Sequence, residues 1–228
     1  GDSPSLAVLE ERFSCEAVRV VLRRFKTNTS TGVCNAELKW LSKAPDSVLA
    51  SLGALLAKVA WAAVGSASGA WHLLSLLLKK SGSFRTVATS VALWRVLSAL
   101  LAPELRAWDK ASALPGDTAV AGASAEGRVF KLALNDSIHR ARGRTTGLLL
   151  WDQEAFYETI RPQQLLQAHS EEGMPLLPLT LCTWAHGEHR LFRLGDSYGE
   201  ELVVPGISIL TGDTSSTSIA RAVVKPAV

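Results

Sequence analysis

The stretch that most constrains how this chain can fold is Gly147 to Ile160, reading GLLLWDQEAFYETI. Four consecutive apolar residues, Leu148, Leu149, Leu150 and Trp151, end at Asp152. Tyr157 follows five positions later, with a second carboxylate, Glu158, directly after it. A short, continuous apolar run fits a strand buried on both faces. A carboxylate at the end of such a strand stands where a central sheet meets solvent. Hard divalent cations take carboxylate oxygens held on rigid backbone, so Asp152 is the first candidate metal ligand.

The chain has 228 residues. That is enough for one large domain or two small ones, and for a real core. With 47% apolar and 20% charged residues, it belongs with globular rather than disordered chains. The net charge of +3 says little, but its distribution says more. Between Arg85 and Arg144 nine Lys/Arg face five Asp/Glu, which suits either a polyanionic partner or a solvated basic face. Cys15, Cys34 and Cys182 are odd in number and far apart. No disulfide framework follows, and a reducing compartment, nucleus or cytoplasm, is the default. The chain opens with Gly1-Asp2 and shows no signal-peptide pattern, so its start need not be the natural one. Val48 to Val64 is the most apolar stretch, but Lys58 lies inside it. A central Lys costs about 2.5 to 3.5 kcal/mol in a membrane, so the stretch reads as a buried helix and no membrane partner is expected.

Ser3-Pro4 has the pattern of a helix start, and apolar residues from Leu6 to Val21 recur at helical spacing, predicting one amphipathic helix to about Phe25. Lys26 to Asn35 reads as a loop closing an N-terminal extension over 1–35. Pro45-Asp46 opens the next helix. GSASG at 65–69 is a turn, and Trp71 to Leu78 fits a strand by length, with helix left open by its Leu content. Ser81-Gly82-Ser83 is a turn before a strand-like run from Phe84. Val91 to Trp108 is helical, with Pro103 expected to kink or interrupt it. Glu126 to Arg142 is helical with Val129, Leu132 and Ile138 facing inward. Gln163 to Ala168 forms a short helix, and Pro175 to Trp184 a helix or strand. Arg190 to Leu194 and Glu201 to Val204 flank a Gly195 to Gly199 turn as a β-hairpin. Ser208 to Ser218 is a Gly turn, dense in hydroxyls, entering a helix to Val224.

In this order the pieces resemble the first part of a reverse transcriptase domain of the non-LTR retroelement type. The resemblance covers about Leu38 to Val224. Lys79-Lys80, Phe84-Arg85-Thr86-Val87 and Leu93-Trp94-Arg95-Val96 are similar to the fingers pattern in which a Lys and an "R-P-I" arginine precede an "L-Y-R" helix. Thr86 stands at that pattern's Pro. Trp108 to Arg128 and the helix after it are a looser match to the next region, which lacks here its Gln and Phe. Trp151 to Ile160 resembles the first palm motif, with Phe156 at its small residue. Ser208 to Gly212 and the Ser/Thr run after it resemble the second. The third, an aromatic followed by two aspartates, is not found in these 228 residues.

The resemblance implies a helix-rich α+β fold: part of a right-hand polymerase, with fingers over 36–146 and the first part of a palm over 147–228. It implies RNA-templated DNA synthesis, with an RNA template, a DNA primer and deoxynucleoside triphosphates as partners and Mg2+ as cofactor. Asp152 would be the catalytic, metal-binding carboxylate; read alone, it is a strand-end Asp capping a turn. Tyr157 would lie beneath the incoming sugar, and Glu158, where the family has Asp, would not be a ligand. Lys80 and Arg85 would meet the triphosphate, Arg bidentately and Lys as a point charge. Gly212 would let the backbone approach the nucleotide, and Ser216 would contact it. Without the paired aspartates, the expectation is a fragment that does not catalyse alone. The alternatives are a nucleic-acid-binding module without catalysis, or an unrelated helical scaffold. Cys182, His186 and His189 offer three zinc ligands without a fourth. Structural zinc takes four, so the histidines read as surface-loop residues.

Overall fold

The computed structural model describes residues 4–27, 29, 34, 36–62, 72–113, 117–118, 120, 122–147, 156–161, 164–165, 171–203, 209–211, 213 and 215–224. Its helices and its four-stranded mixed sheet make it a helix-rich chain of mixed α and β structure.

The N-terminal stretch forms two helices rather than one. Helix α1 (Leu6–Arg12) is capped by Ser5, whose side chain accepts from the Val8 N–H. The chain breaks at Phe13-Ser14, and α2 (Cys15–Arg24) follows. The cause is close packing against α4 (Asp46–Ala62). A Cβ on Gly53 of α4 would lie only 2.0 Å from the Phe13 carbonyl oxygen, so the bend rests directly on that glycine. Breaking there lets α1 bury Leu9 and Phe13, and lets α2 bury Val18, Val21 and Leu22. Both helices pack on α4, and α2 also on the short α3 (Leu38–Leu41). Lys58 stays on the exposed side of α4, and no helix among the described residues is long and apolar enough to cross a membrane.

Strands β1 (His72–Leu78) and β2 (Phe84–Ser90) form an antiparallel hairpin, in register from His72↔Ser90 to Leu78↔Phe84. Its turn closes through Lys79 N–H to the Ser83 carbonyl (2.8 Å), with Gly82 at φ +84°. That left-handed conformation favours glycine. On its other side β1 pairs in parallel with β3 (Arg190–Leu194), which pairs antiparallel with β4 (Ser197–Val203). The strand order is β2-β1-β3-β4. The second hairpin turns tightly at Gly195-Asp196, so Ser197 to Gly199, expected in the turn, belong to β4.

Helix α5 (Ala92–Ser112) runs through Pro103 without interruption. Proline in a helix interior costs about 3 kcal/mol. Trp94, Leu97, Leu101, Leu105 and Trp108 form a buried stripe along the same helix. At about 1.5–3 kcal/mol for each side chain, their burial outweighs the proline.

Helix α6 (Ala125–Ala141) is where the expected facing fails. None of its residues is buried; Val129 and Phe130 are 64% and 68% exposed, and Ile138 is exposed as well. The half-buried line is Arg128, Leu132, Asp136 and His139. The helix is set by local means: a Ser124 cap accepting from Gly127 N–H (2.9 Å) and an Asp136–Arg140 ion pair (2.9 Å) one turn apart. Periodicity marks a helix, but not which surface it meets.

After the four-residue α7 (Phe156–Thr159), α8 (Leu176–Gly187) lies in the core, and α9 (Ser216–Val224) ends the described chain. One buried cluster runs from Leu9 through α5 and α8 to Ala222. The expected strand Leu148 to Asp152 and the 65–69 turn lie outside the described residues, as does all of the Gln163 to Ala168 helix except Gln164 and Leu165.

Candidate functional site

Distant parts of the chain meet at segment 209–216. Strand β2 is an edge strand, so its outward N–H groups need partners from elsewhere. Ala88 N–H finds the Thr211 carbonyl at 2.8 Å, and Ile209 N–H donates to the Tyr157 carbonyl at 2.9 Å. Leu210 N–H donates to Nδ1 of His186 on α8 at 3.0 Å. Trp94 of α5 donates its indole N–H to Oδ2 of Asp213 at 2.8 Å. The turn then enters α9 at Ser216, whose N–H donates to the Asp213 carbonyl at 3.2 Å.

Tyr157 is half-buried, packed on the core and tilted against Phe156 with centroids 5.5 Å apart. Ser216 is 2% exposed, and its hydroxyl donates to the Leu210 carbonyl. That bond turns the side chain to holding the turn. Arg85 is exposed on β2, three residues from Ala88, roughly 10 Å along the strand at about 3.3 Å per residue. Lys80 is exposed in the hairpin turn. Thus β2, Tyr157 and Ser216 share one neighbourhood, with Lys80 and Arg85 carried out to solvent on the hairpin. Asp152 and Gly212 lie outside the described residues, and so does the Glu158 side chain.

Sequence reasoning missed the polar cluster beneath this turn. His186 was expected in a surface loop, but it lies inside α8 at 0% exposure, one turn after buried Cys182. His72, the first residue of β1, is equally buried. Its Nε2 lies 2.8 Å from the Ala185 carbonyl and so carries the proton; its Nδ1 then accepts from Ser90 Oγ at 3.0 Å. Because Leu210 N–H donates to Nδ1 of His186, the His186 proton is on Nε2, which has no partner among the described residues. Burial pulls both imidazoles down to about 4, with Asp213 acting in the opposite direction. Burial and Asp213 push the Cys182 thiol well up, so it stays protonated. The legible signal was the spacing of Cys182 and His186, four apart on an apolar helix. That spacing marks one helix face, and here the face is the core.

His189, the third residue of that set, is half-buried beyond the end of α8. Among the described residues no group of three or more His, Cys, Asp or Glu could hold a metal ion. The chain matches no model of a known protein family, and no curated protein matches it.

Proposed function

We propose that the chain is the fingers and first palm segment of an RNA-directed DNA polymerase of the non-LTR retroelement type. It holds an RNA template, a DNA primer and a deoxynucleoside triphosphate, and these 228 residues alone do not complete catalysis. The observation that carries the reading is the meeting of three sequence-distant segments. The hairpin strand with Arg85, the carbonyl of Tyr157 and the hydroxyl-rich turn before Ser216 are joined through Ala88–Thr211 and Tyr157–Ile209. The resemblance assigns these three segments to one site, and nothing in their local sequence requires them to touch. Lys80 and Arg85, exposed on the hairpin, suit the triphosphate as point charge and bidentate fork. In this reading Asp152 would hold the magnesium ion.

A photoreactive deoxynucleoside triphosphate, bound with template and primer, should label peptides from 79–90, 156–161 or 209–216. Labelling confined to other peptides would overturn the reading. Primer extension with magnesium separates the fragment proposal from the family proposal. Robust extension, abolished by Asp152→Ala, would show a competent polymerase and end the view that these residues are insufficient.

A nucleic-acid-binding module without catalysis is the second reading. It is favoured by the basic surface of α6, where Lys131 and Arg140 are exposed, with Arg142 and Arg144 exposed just beyond the helix. It predicts RNA binding that weakens with salt, without triphosphate labelling of the hairpin.

A further inference from the structure

A cleft of about 390 Å3 opens between α2, the end of β2, α5 and the 209–216 turn. That volume lies within the roughly 300–1,000 Å3 of small-molecule sites, which are apolar-walled with a few convergent polar groups. Arg24 and Arg95 line it from the helices, Thr89 from β2 and Asp213 from the turn. Arg95 is half-buried and lies over the Phe25 ring at 5.1 Å. Arg24 is exposed at the end of α2 and makes no ion pair among the described residues. Asp213 likewise has no cationic partner among them. A carboxylate offers about four acceptor positions. Trp94 takes one on Oδ2, and Ser215 takes two on Oδ1 through its N–H and hydroxyl. One position remains. The cleft thus carries guanidinium groups on its helical walls and, on another wall, a carboxylate with no ion pair to a described residue.

We propose that this cleft binds a phosphate ester whose organic part carries an N–H donor, with the phosphate at Arg24 and Arg95 and the donor at Asp213. Guanidinium matches phosphate oxygens bidentately, and Phe25, Val21 and Ala99 supply the apolar wall for a flat ring. The site uses none of Lys80, Arg85, Tyr157 or Ser216, and it stands whether or not the polymerase reading does. A free nucleotide and one residue of a single strand share this chemistry. The probes are therefore AMP, adenosine, ribose 5-phosphate and a short single-stranded RNA, titrated against the full chain by calorimetry. AMP should bind at least about ten-fold tighter than adenosine or ribose 5-phosphate. Arg24→Ala should bring AMP down to adenosine's level. Because Arg24 is exposed, the variant should keep its melting temperature; Arg24→Glu should abolish AMP binding. RNA that competes with AMP and shares its dependence on Arg24 would identify a strand as the source, and AMP alone a free nucleotide. No saturable binding of either, or binding indifferent to Arg24→Ala and Arg24→Glu, would overturn the proposal.

Discussion

Nδ1 of His186 accepts the Leu210 N–H at 3.0 Å, and this bond suspends the 209–216 turn from a helix in the core. It exists only while that nitrogen is unprotonated, and His72 beside it is buried under the same condition. Burial holds both imidazoles at about 4, against an ordinary 6.5. The charged and titratable groups that act on His186 are His72 on β1, Arg190 on β3 and Asp213 on the turn. His72 and Arg190 disfavour its charge, and Asp213 favours it.

The pH dependence follows from that cluster. A base whose folded pKa lies below its unfolded value binds more protons when unfolded. Stability is therefore full above pH 6.5 and falls as pH drops from 6.5 toward 4. Each imidazole contributes on the order of 3 kcal/mol to that loss. Urea unfolding at pH 7.5, 5.5 and 4.5 measures it, and a flat profile would show that the histidines are not buried neutral.

The bend between α1 and α2 makes Gly53 irreplaceable. A methyl there would meet the Phe13 backbone oxygen at 2.0 Å, and backbone cannot yield as a side-chain end can. Gly53→Ala should destabilise by about 3 kcal/mol. Gly187→Ala, with nothing within 4 Å of its Cβ, is the control. It should change stability by less than about 1 kcal/mol. Equal effects in chemical denaturation would mean that the bend does not rest on α4.

Arg221 of α9 is 5% exposed and pairs with both Asp109 of α5 and Asp117. Ser218 also donates to Asp109, at 2.8 Å. Removing the cation leaves two poorly solvated carboxylates, so Arg221→Leu should destabilise by about 3–5 kcal/mol. Arg221→Lys should recover only part of this, because an ammonium lacks the fork that reaches both partners. Full recovery by Lys in thermal unfolding would contradict the two-armed geometry.

Much of the fold was legible in local patterns. Pro45-Asp46 opened α4, Ser81-Gly82-Ser83 turned the first hairpin, and apolar residues three and four apart marked α5. What local pattern does not encode is the surface an element will meet. Phe13-Ser14 bends because Gly53, forty residues away, leaves room for it. Val129 and Ile138 carry a core-like spacing, yet their helix reaches no core. The site was half legible. Tyr157 and Ser216 were named, and residues of the 209–216 segment bond to each; Arg95 was quoted only as part of a helix motif, and Asp213 and Arg24 were not singled out. An isolated Asp or Arg carries no mark of the cleft that tertiary contact builds around it.

The proposed polymerase function is tested most directly by affinity for an RNA template annealed to a DNA primer, measured against salt. Each phosphate contact adds about 0.9 to the slope of log affinity on log salt for duplex DNA. The chain should bind with a steep slope, and replacing Lys80 and Arg85, which meet the triphosphate in this reading, by Ala should weaken binding of a deoxynucleoside triphosphate to that complex about ten-fold or more while leaving the melting temperature unchanged. Template–primer binding indifferent to salt, or triphosphate binding unchanged by losing both hairpin cations, would contradict the account.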